Sequence, residues 1–239
     1  MIKRLQLLLA LVAVSGLFSS CLKKGTYQMP GETYVVSTYS MSGGYYFTGD
    51  DGSTVLPKNA QEVNSWQIES GKRLFMIFNQ DQDSWNAATN TWTVEVVGLY
   101  EVPEVEILPI PFDPAADTVG TDPLYHDESY FMTWVANGFI TTRFAYQHSG
   151  SNTGAAKHTF GLASDPAYGD YAGGDTVRLL LWHNAHGDAM NTMGISHNCV
   201  NIRSSYYPWI PRDSVTIAIK YKTDATTSRT MYTKYKSSY

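Results

Sequence analysis

The sequence predicts an all-β protein, in which a small OB-type barrel is followed by an antiparallel β-sandwich. Aromatic residues make up 13% of the chain and charged residues only 16%, and aromatic side chains are enriched in strands because they pack well on a pleated surface. Short segments of alternating polarity follow one another between glycine-rich turns, without a convincing amphipathic helix. A cluster of prolines divides these segments into two groups, which indicates two domains.

Residues 1–20 have the pattern of a secretory signal. Lys3 and Arg4 precede an apolar run that is shorter than the roughly 20 residues needed to cross a bilayer. The run ends in "LFSSC", which resembles a bacterial lipobox and implies cleavage before Cys21 and lipid attachment to its thiol. An ordinary signal peptide with a chance cysteine is the alternative. Several acyl chains on one cysteine anchor a protein stably, and residues 21–32 would be a polar tether.

Residues 33–102 contain five segments typical of strands. The first reads "TYVVSTYS", and the second and third form a hairpin through the turn "GDDG" at residues 49–52, because an Asp-Gly pair supplies the positive φ of a tight turn. Residues 73–79 and the alternating segment "TWTVEVVGLYEV" give the fourth and fifth strands. Residues 58–69 have room for one helical turn between the third and fourth strands. Five such strands are typical of an OB barrel.

Residues 103–120 are predicted to be a proline-rich linker or a long edge crossing. Five of the ten prolines lie between positions 103 and 123, and proline cannot donate a hydrogen bond in a central strand. Residues 121–223 again read as strands, including a hairpin with the turn "ANG" and the strong strand "TVRLLLWHN". Six to eight antiparallel strands over about 100 residues predict a β-sandwich. The polar residues 224–239 are either a frayed tail or one last edge strand.

The charge balance excludes one class of partner. Cleavage of the signal would leave 15 of the 17 basic residues against 22 acidic ones, a net charge of −7. Nucleic-acid binding depends on Lys and Arg at phosphates, so no nucleic-acid partner is predicted. With Cys21 used for lipid, Cys199 has no disulfide partner and is expected to be a small buried hydrophobe.

The sequence lacks the catalytic motifs that spacing alone can identify. It has no glycine-rich phosphate loop, no G-x-S-x-G elbow, no C-x-x-C pair and no H-E-x-x-H. Asp122, Asp127 and Glu128 lie close together in the chain, but acidic residues that flank a strand are usually solvated, so a glycosidase is not favoured. The sequence therefore predicts no catalytic residue and no cofactor.

The stretch "LLLWHNAHGDAMNTMGISHNC", residues 179–199, is the richest in potential metal ligands. It holds three histidines, one aspartate and one cysteine, and zinc sites are built from these residue types. The run before His183 predicts a strand buried on both faces. Residues three apart in a strand face opposite sides, so His183 and His186 would converge only around the turn at Gly187 and Asp188. A metallohydrolase would require this convergence.

A structural β-hairpin is the favoured interpretation of the same stretch. The segment "NTMGISHNCVNI" follows as the expected partner strand, with His197 on the same face as Ile195 and Cys199. Asn184 and Asp188 would then cap amides of the turn. No metal is predicted.

The strand ending in "LLWHNAHGD" is similar to the R/W-H-N-A-x-G-D signature of the NigD-like lipoproteins, a family of gut and oral anaerobic Gram-negative bacteria. The segments "YYFTGDDGSTVLPKN", "SGKRLFMIFN", "DP" at 122–123 and "DSVTIAIKYK" resemble further family motifs in the same order, over nearly the whole mature chain. The resemblance implies an N-terminal OB domain, a C-terminal β-sandwich and no established enzymatic activity. The family's name comes from a bacteriocin gene cluster, in which a role in immunity or export has been suggested.

The resemblance also selects residues within the stretch. His183, Asn184, Gly187 and Asp188 match the family, whereas the position of His186 is variable there and often tyrosine. A metal pair that uses His186 therefore does not fit the family. Together with the neighbouring Trp182, the four matching residues are the candidates for a ligand site or a structural hairpin.

Two classes of function are consistent with the sequence. The first is a non-catalytic cell-envelope lipoprotein that binds a protein partner, with an immunity or accessory role. The second is a glycan-binding accessory lipoprotein that stacks sugars on exposed aromatic rings. Tyr206, Tyr207 and Trp209 lie in a proline-delimited loop and are the best candidate surface, with a capped sandwich edge as the alternative. Further candidate platforms are Trp85, Trp134 and Trp182.

The expected location is the outer membrane. The pair Lys23–Lys24 after the lipid site differs from the acidic export tags of some lipoproteins in such bacteria. We therefore expect the protein to face the periplasm rather than the cell surface, with the membrane contacted through the lipid anchor.

Overall fold

The computed structural model describes residues 28–81, 83–109, 120–125, 127–150, 157–165, 175–189, 191–203, 207 and 214–236. In this part of the chain there are fourteen β-strands, so the all-β prediction is confirmed. The predicted signal, the lipid site Cys21 and the surface candidates Tyr206 and Trp209 lie outside the described residues. No helix within the described ranges is long and apolar enough to cross a membrane.

Five strands of the first half close into a barrel. They are β1 (Met29–Ser40), β2 (Gly44–Gly49), β3 (Thr54–Pro57), β4 (Arg73–Gln80) and β6 (Thr91–Glu101). They pair in the order β3-β2-β1-β4-β6, and a parallel pairing of β3 with β6 closes the barrel. The helix α1, Ala60–Ser65, lies between β3 and β4, and the short strand β5, Trp85–Asn86, pairs with the start of β6. This is the predicted OB-type arrangement.

The two ends of the barrel are different. Tyr45 N donates to Asn64 Oδ1 (3.1 Å), which holds α1 at the end where β2 begins, and Val63 of α1 is fully buried in the barrel core. At the opposite end, where β1 begins and β2 ends, the described residues include no covering helix. The core between the two ends is apolar and consists mainly of Val35, Phe47, Val55, Leu74, Met76, Val94 and Val96.

The second half is a sandwich of two sheets. The larger sheet has the order β14-β13-β11-β10-β7 and the smaller one β12-β9-β8. Their strands are β7 (Ile107–Leu108), β8 (Met132–Ala136), β9 (Phe139–His148), β10 (Thr159–Ser164), β11 (Thr176–Asn184), β12 (Thr192–Asn201), β13 (Ser214–Lys222) and β14 (Ser228–Lys236), and a 3-10 turn, Glu128–Tyr130, precedes β8. Most pairs are antiparallel, but β11 with β13 and β10 with β7 are parallel. The β8–β9 hairpin turns through Asn137 and Gly138, both at positive φ, as the sequence predicts.

The proline-rich segment begins as an edge crossing and not as a free linker. Cys199 N donates to Pro103 O (2.9 Å) and Val105 N donates to Cys199 O (2.8 Å), so the chain first runs beside β12. The chain then forms β7, which pairs with β10 in the other sheet. At the C-terminal end, β14 is the edge strand of the larger sheet, which is the second of the two alternatives for that segment.

The predicted hairpin between β11 and β12 is wrong. β11 lies between β10 and β13, so both of its edges are occupied. β12 instead pairs along its whole length with β9 in the smaller sheet. The turn after His183 therefore carries the chain from one layer of the sandwich to the other, and His197 does not lie across a hairpin from His183.

Burial along β11 also differs from the prediction. Val177, Leu179, Leu181 and His183 are buried in the core, whereas the residues between them are only half-buried. The strand therefore has one core face, and not two.

Candidate functional site

The "HNAHGD" stretch builds a buried hydrogen-bond chain at the end of β11. The ring of His183 is 1% exposed, and Phe160 stacks on it with 4.8 Å between the ring centroids. Its Nδ1 lies 3.1 Å from the carbonyl oxygen of Pro123. Its Nε2 lies 2.8 Å from Nδ1 of His158, whose Nε2 is 3.2 Å from Oδ2 of Asp188. The order of groups is therefore carbonyl, imidazole, imidazole, carboxylate.

The acceptors at the two ends determine where the protons lie. The carbonyl of Pro123 can only accept, so His183 donates from Nδ1 and its Nε2 accepts from His158. Burial lowers the pKa of His183 to about 4, so this ring is neutral at neutral pH. The carboxylate of Asp188 also only accepts, so Nε2 of His158 donates to it. The hydrogen bond from Ser149 N is the main reason that the pKa of Asp188 falls to about 2.

The other motif residues shape the turn around this chain. Asn184 Oδ1 accepts from His186 N (2.8 Å), the local cap predicted for Asn184. Gly187 has φ of +71°, a conformation that favours glycine. Asp122 Oδ2 accepts from Ala185 N (2.8 Å), so the "DP" segment and the turn are bonded together. The side chain of His186 points away from the chain of histidines and contacts Thr159 Oγ1 at 3.1 Å.

This arrangement is suited to holding the sandwich together. Asp122 N donates to His183 O (3.0 Å) and Leu124 N to Lys222 O (2.8 Å), so the segment 120–124 is fixed across β11 and β13. The bond from Ser149 to Asp188 adds the end of β9 in the other sheet. Both ring nitrogens of His183 form hydrogen bonds. The row of imidazole groups resembles a catalytic proton relay, but it ends on a backbone carbonyl instead of a nucleophile. Among the described residues, no three of His, Cys, Asp and Glu are placed to hold a metal ion.

The predicted aromatic platforms are mostly occupied by packing. Trp182 is half-buried and lies flat on Gly161, where an added Cβ would be 2.4 Å from the indole. Tyr207 is 6% exposed and its hydroxyl is 3.4 Å from Ile107 N, so its assignment to a surface is wrong: it is part of the sandwich core. Trp134 faces the barrel, and among the candidates that the structure describes only Trp85, at 40% exposure, is open to solvent as a platform requires.

A buried ion pair joins the barrel to the sandwich. Arg73 is 1% exposed and donates from both terminal nitrogens to Asp50, at 2.5 and 2.6 Å. Arg73 Nε also donates to Thr141 Oγ1 (3.1 Å) in β9. Asp50 accepts in addition from Trp134 Nε1 (2.7 Å) and Asn137 Nδ2 (3.2 Å) in the sandwich. Such a planar bidentate pair fixes geometry as well as charge.

Apolar groups surround this ion pair and complete the junction. Cys199 is fully buried in a cluster with Val36, Val102 and Phe139, as expected of a small hydrophobe, and burial raises the pKa of its thiol to about 12. His197 packs against Tyr34 and Phe75 of the barrel, and burial lowers its pKa to about 4. The junction therefore consists of side chains from both halves.

A cavity of about 220 Å³ lies at the barrel end opposite α1. All five barrel strands contribute to it. Its deepest residues, Val55 and Val94, are buried; Phe78 and Trp92 are half-buried at its sides. The ring of Trp92 packs against Trp85 with centroids 4.7 Å apart, so the aromatic wall continues to the exposed surface.

Two carboxylates lie at the mouth of this cavity. Glu32 and Asp51 are both exposed and both line it. Asp51 accepts hydrogen bonds from Ser53 Oγ (2.6 Å) and Ser53 N (2.9 Å), and these lower its pKa, so it is ionised at neutral pH. Within the described ranges neither carboxylate forms an ion pair, and Lys58 and Arg73 are paired with Asp81 and Asp50.

Residues 106–235 match the family model of the NigD-like C-terminal beta sandwich domain. The chain belongs to the NigD-like family. No protein of curated function matches it.

Three solved structures share the fold of this NigD-like protein. A NigD-like immunity protein of Bacteroides caccae is 17% identical, with a TM-score of 0.59 over 89% of this chain and 100% of its own. A candidate lipoprotein of Bacteroides fragilis is 15% identical, with a TM-score of 0.63 over 88% and 100%. A candidate toxin-related protein of Parabacteroides distasonis is 20% identical, with a TM-score of 0.64 over 87% and 94%.

In this NigD-like chain, the sequence pattern indicated part of one polar cluster and none of the other. It selected His183 and Asp188 but missed His158, which lies in another strand segment 25 residues earlier. Asp50 and Arg73 lie in segments that resemble family motifs, but their local pattern indicates no role for them. An arginine at the start of the otherwise apolar strand "RLFMIF" is the signal that could have indicated a buried ion pair.

Proposed function

We propose that this protein is a non-catalytic cell-envelope lipoprotein that binds a protein partner through the open end of its barrel. The observation that carries the proposal is the cavity between Phe78 and Trp92, whose carboxylates have no cation among the described residues. His183 and His158, by contrast, are buried and bonded to one another, to a backbone carbonyl and to Asp188. A cavity whose apolar walls and charged groups are open to solvent is the expected place for a partner to bind.

An immunity or accessory role fits this proposal. The Bacteroides caccae relative is described as an immunity protein. For the present chain, immunity would mean that an anchored protein binds a toxic polypeptide at the envelope and thereby keeps it from its target. No chemical step is needed for such protection.

Capture of the partner tests the proposal. The mature protein is immobilised and exposed to envelope extract, and Trp85→Ala is compared with Tyr232→Ala. Both residues are exposed aromatics, but Tyr232 lies on β14 and does not line the barrel cavity. We expect a protein that is retained by the wild type and Tyr232→Ala and lost with Trp85→Ala. Equal retention by both variants, or no retained protein, would contradict the proposal.

Anchoring through Cys21 at the periplasmic face of the outer membrane is part of the same proposal. The support is the "LFSSC" sequence and a relative described as a candidate lipoprotein. Cells grown with an alkyne fatty acid are expected to label the wild-type protein and not Cys21→Ala. Equal labelling of the two proteins would refute the anchor.

A glycan is the second candidate ligand, because the exposed Trp85 packs against Trp92 at the side of the cavity. Such rings present a large apolar face, on which a sugar ring can stack. A glycan array probed with the wild type and Trp85→Ala decides between the two ligands. Binding that depends on Trp85 supports the glycan, and silence across the array leaves the protein partner.

A further inference from the structure

We propose that the cavity at the open barrel end receives one cationic side chain, a lysine or an arginine of the partner polypeptide. This inference rests on the proposed function, because it names the chemistry of the partner at the same site. Three properties of the cavity lead to it: its volume, its aromatic walls and the charge at its mouth.

The volume of the cavity fits a single side chain instead of a whole small molecule. Pockets that enclose a complete drug-sized ligand measure roughly 300–1,000 Å³, and this cavity has about 220 Å³. Its depth is apolar, since Val55 and Val94 are 4% and 1% exposed. An aliphatic stem such as that of lysine or arginine can cover apolar surface while its charged head stays near polar groups.

The walls suit a cation. Trp92 and Phe78 line the cavity from β6 and β4, and the faces of aromatic rings attract ammonium and guanidinium groups through their quadrupoles. Tryptophan is the most effective ring for this purpose. Trp85 extends the wall outward, where it would contact the backbone that carries the inserted side chain.

The negative charge at the mouth of the cavity determines that the occupant carries a positive charge. Glu32 and Asp51 line the opening, and the nearby cations of the described chain are committed elsewhere, Lys58 to Asp81 at 2.5 Å and Arg73 to Asp50. An anionic ligand would be repelled by the two carboxylates, and a neutral sugar would leave them without a partner. A cation satisfies both, and the chain's formal net charge of −5 favours its approach.

The test uses two peptides and the purified mature protein. Both are Gly-Ser decapeptides whose only charge can be at the central residue, which is lysine in one and norleucine in the other. Binding is followed by the indole N–H signals of Trp85 and Trp92 in NMR titrations. We expect the lysine peptide to bind at least about tenfold more tightly than the norleucine peptide, and to weaken several-fold between 50 and 500 mM NaCl, because exposed charges are screened.

Two matched variants show at which end of the barrel the lysine peptide binds. Glu32→Gln is expected to weaken binding of the lysine peptide at least about threefold, whereas Glu62→Gln, which removes the same charge on α1 at the other barrel end, should not. Thermal unfolding of both variants shows that the fold is kept. Equal affinity for the two peptides, or equal loss in the two variants, would overturn the inference.

The outcomes separate this inference from the proposed function. A partner whose capture requires Trp85 but ignores both Glu32→Gln and salt supports a binding site without a cation subsite, and so overturns the inference alone. Displacement of the lysine peptide by a glycan that the array identifies would reassign the cavity to the second candidate. Lysine-peptide binding without any captured protein would support the cavity chemistry and contradict the proposed function.

Discussion

His183 illustrates how a single buried ring can act as a structural element. Its Nδ1 is fixed by the carbonyl of Pro123 and its Nε2 by His158, so neither nitrogen can gain a proton without breaking a hydrogen bond. Burial lowers its pKa to about 4, and burial has the same effect on His197 at the junction. In an unfolded chain both would titrate near 6.5.

Stability is therefore expected to fall with acidification. Between about pH 6.5 and pH 4 the unfolded chain binds protons that the folded protein does not, so the free energy of unfolding decreases as pH falls through this range. For His183 the loss is about 2 kcal/mol at pH 5, with a smaller loss from the less buried His197. Urea unfolding at pH 7 and pH 5 measures it. His197→Gln should flatten the dependence, and a stability that is unchanged down to pH 5 would contradict the assignment.

At the scale of secondary-structure elements, the strand pattern predicted most strands but not their partners. Alternation in "TWTVEVVG" shows which face of β6 is buried, and Val94 and Val96 indeed face the core. The same pattern contains no information on which strand lies alongside. β12 follows β11 in the chain, yet both edges of β11 are taken by β10 and β13. The parallel pairing with β13 joins segments too far apart for local sequence to specify.

At the scale of strands, the packing of Trp182 of β11 on Gly161 of β10 contributes to stability by an amount that can be measured. An added methyl group at Gly161 would be 2.4 Å from the indole, and Trp182 cannot move without exposing the surface of β10. Gly161→Ala is therefore expected to destabilise the protein by about 1–3 kcal/mol. Gly43→Ala is the control, because nothing lies within 4 Å of its added Cβ.

Chemical denaturation of both variants gives the comparison. Gly161→Ala combined with Trp182→Leu should recover part of the lost stability, since the smaller side chain makes room for the methyl group. Equal stability of the two alanine variants would show that Trp182 does not rest on β10.

At the scale of the whole molecule, the barrel and the sandwich are joined by polar groups that sequence patterns do not reveal. Arg73 and Asp50 belong to the barrel, yet three of their hydrogen-bond partners, Thr141, Trp134 and Asn137, belong to the sandwich. The domain types were predictable from strand number and spacing. The junction was not, because its residues are far apart in the chain and each has an ordinary local role.

The ion pair is expected to couple the two halves. Arg73→Met leaves the carboxylate of Asp50 without its cation, and loss of one partner of a buried pair costs roughly 3–5 kcal/mol. Asp50 keeps 22% of its side chain exposed, so we expect about 3 kcal/mol, the lower end of that range. Adding Asp50→Asn to Arg73→Met should cost less than the sum of the single changes. Strict additivity in a denaturation cycle would show that the pair is not coupled.

The central claim is that the open end of the barrel, and not the "HNAHGD" motif, is the surface that contacts a partner. Site-specific photo-crosslinking in living cells tests it most directly, with a benzophenone side chain replacing Trp85 in one strain, His186 in a second and Tyr232 in a third. All three positions are exposed. We expect a crosslinked protein at position 85 and none at 186 or 232. A crosslink at position 186 with none at 85 would contradict it.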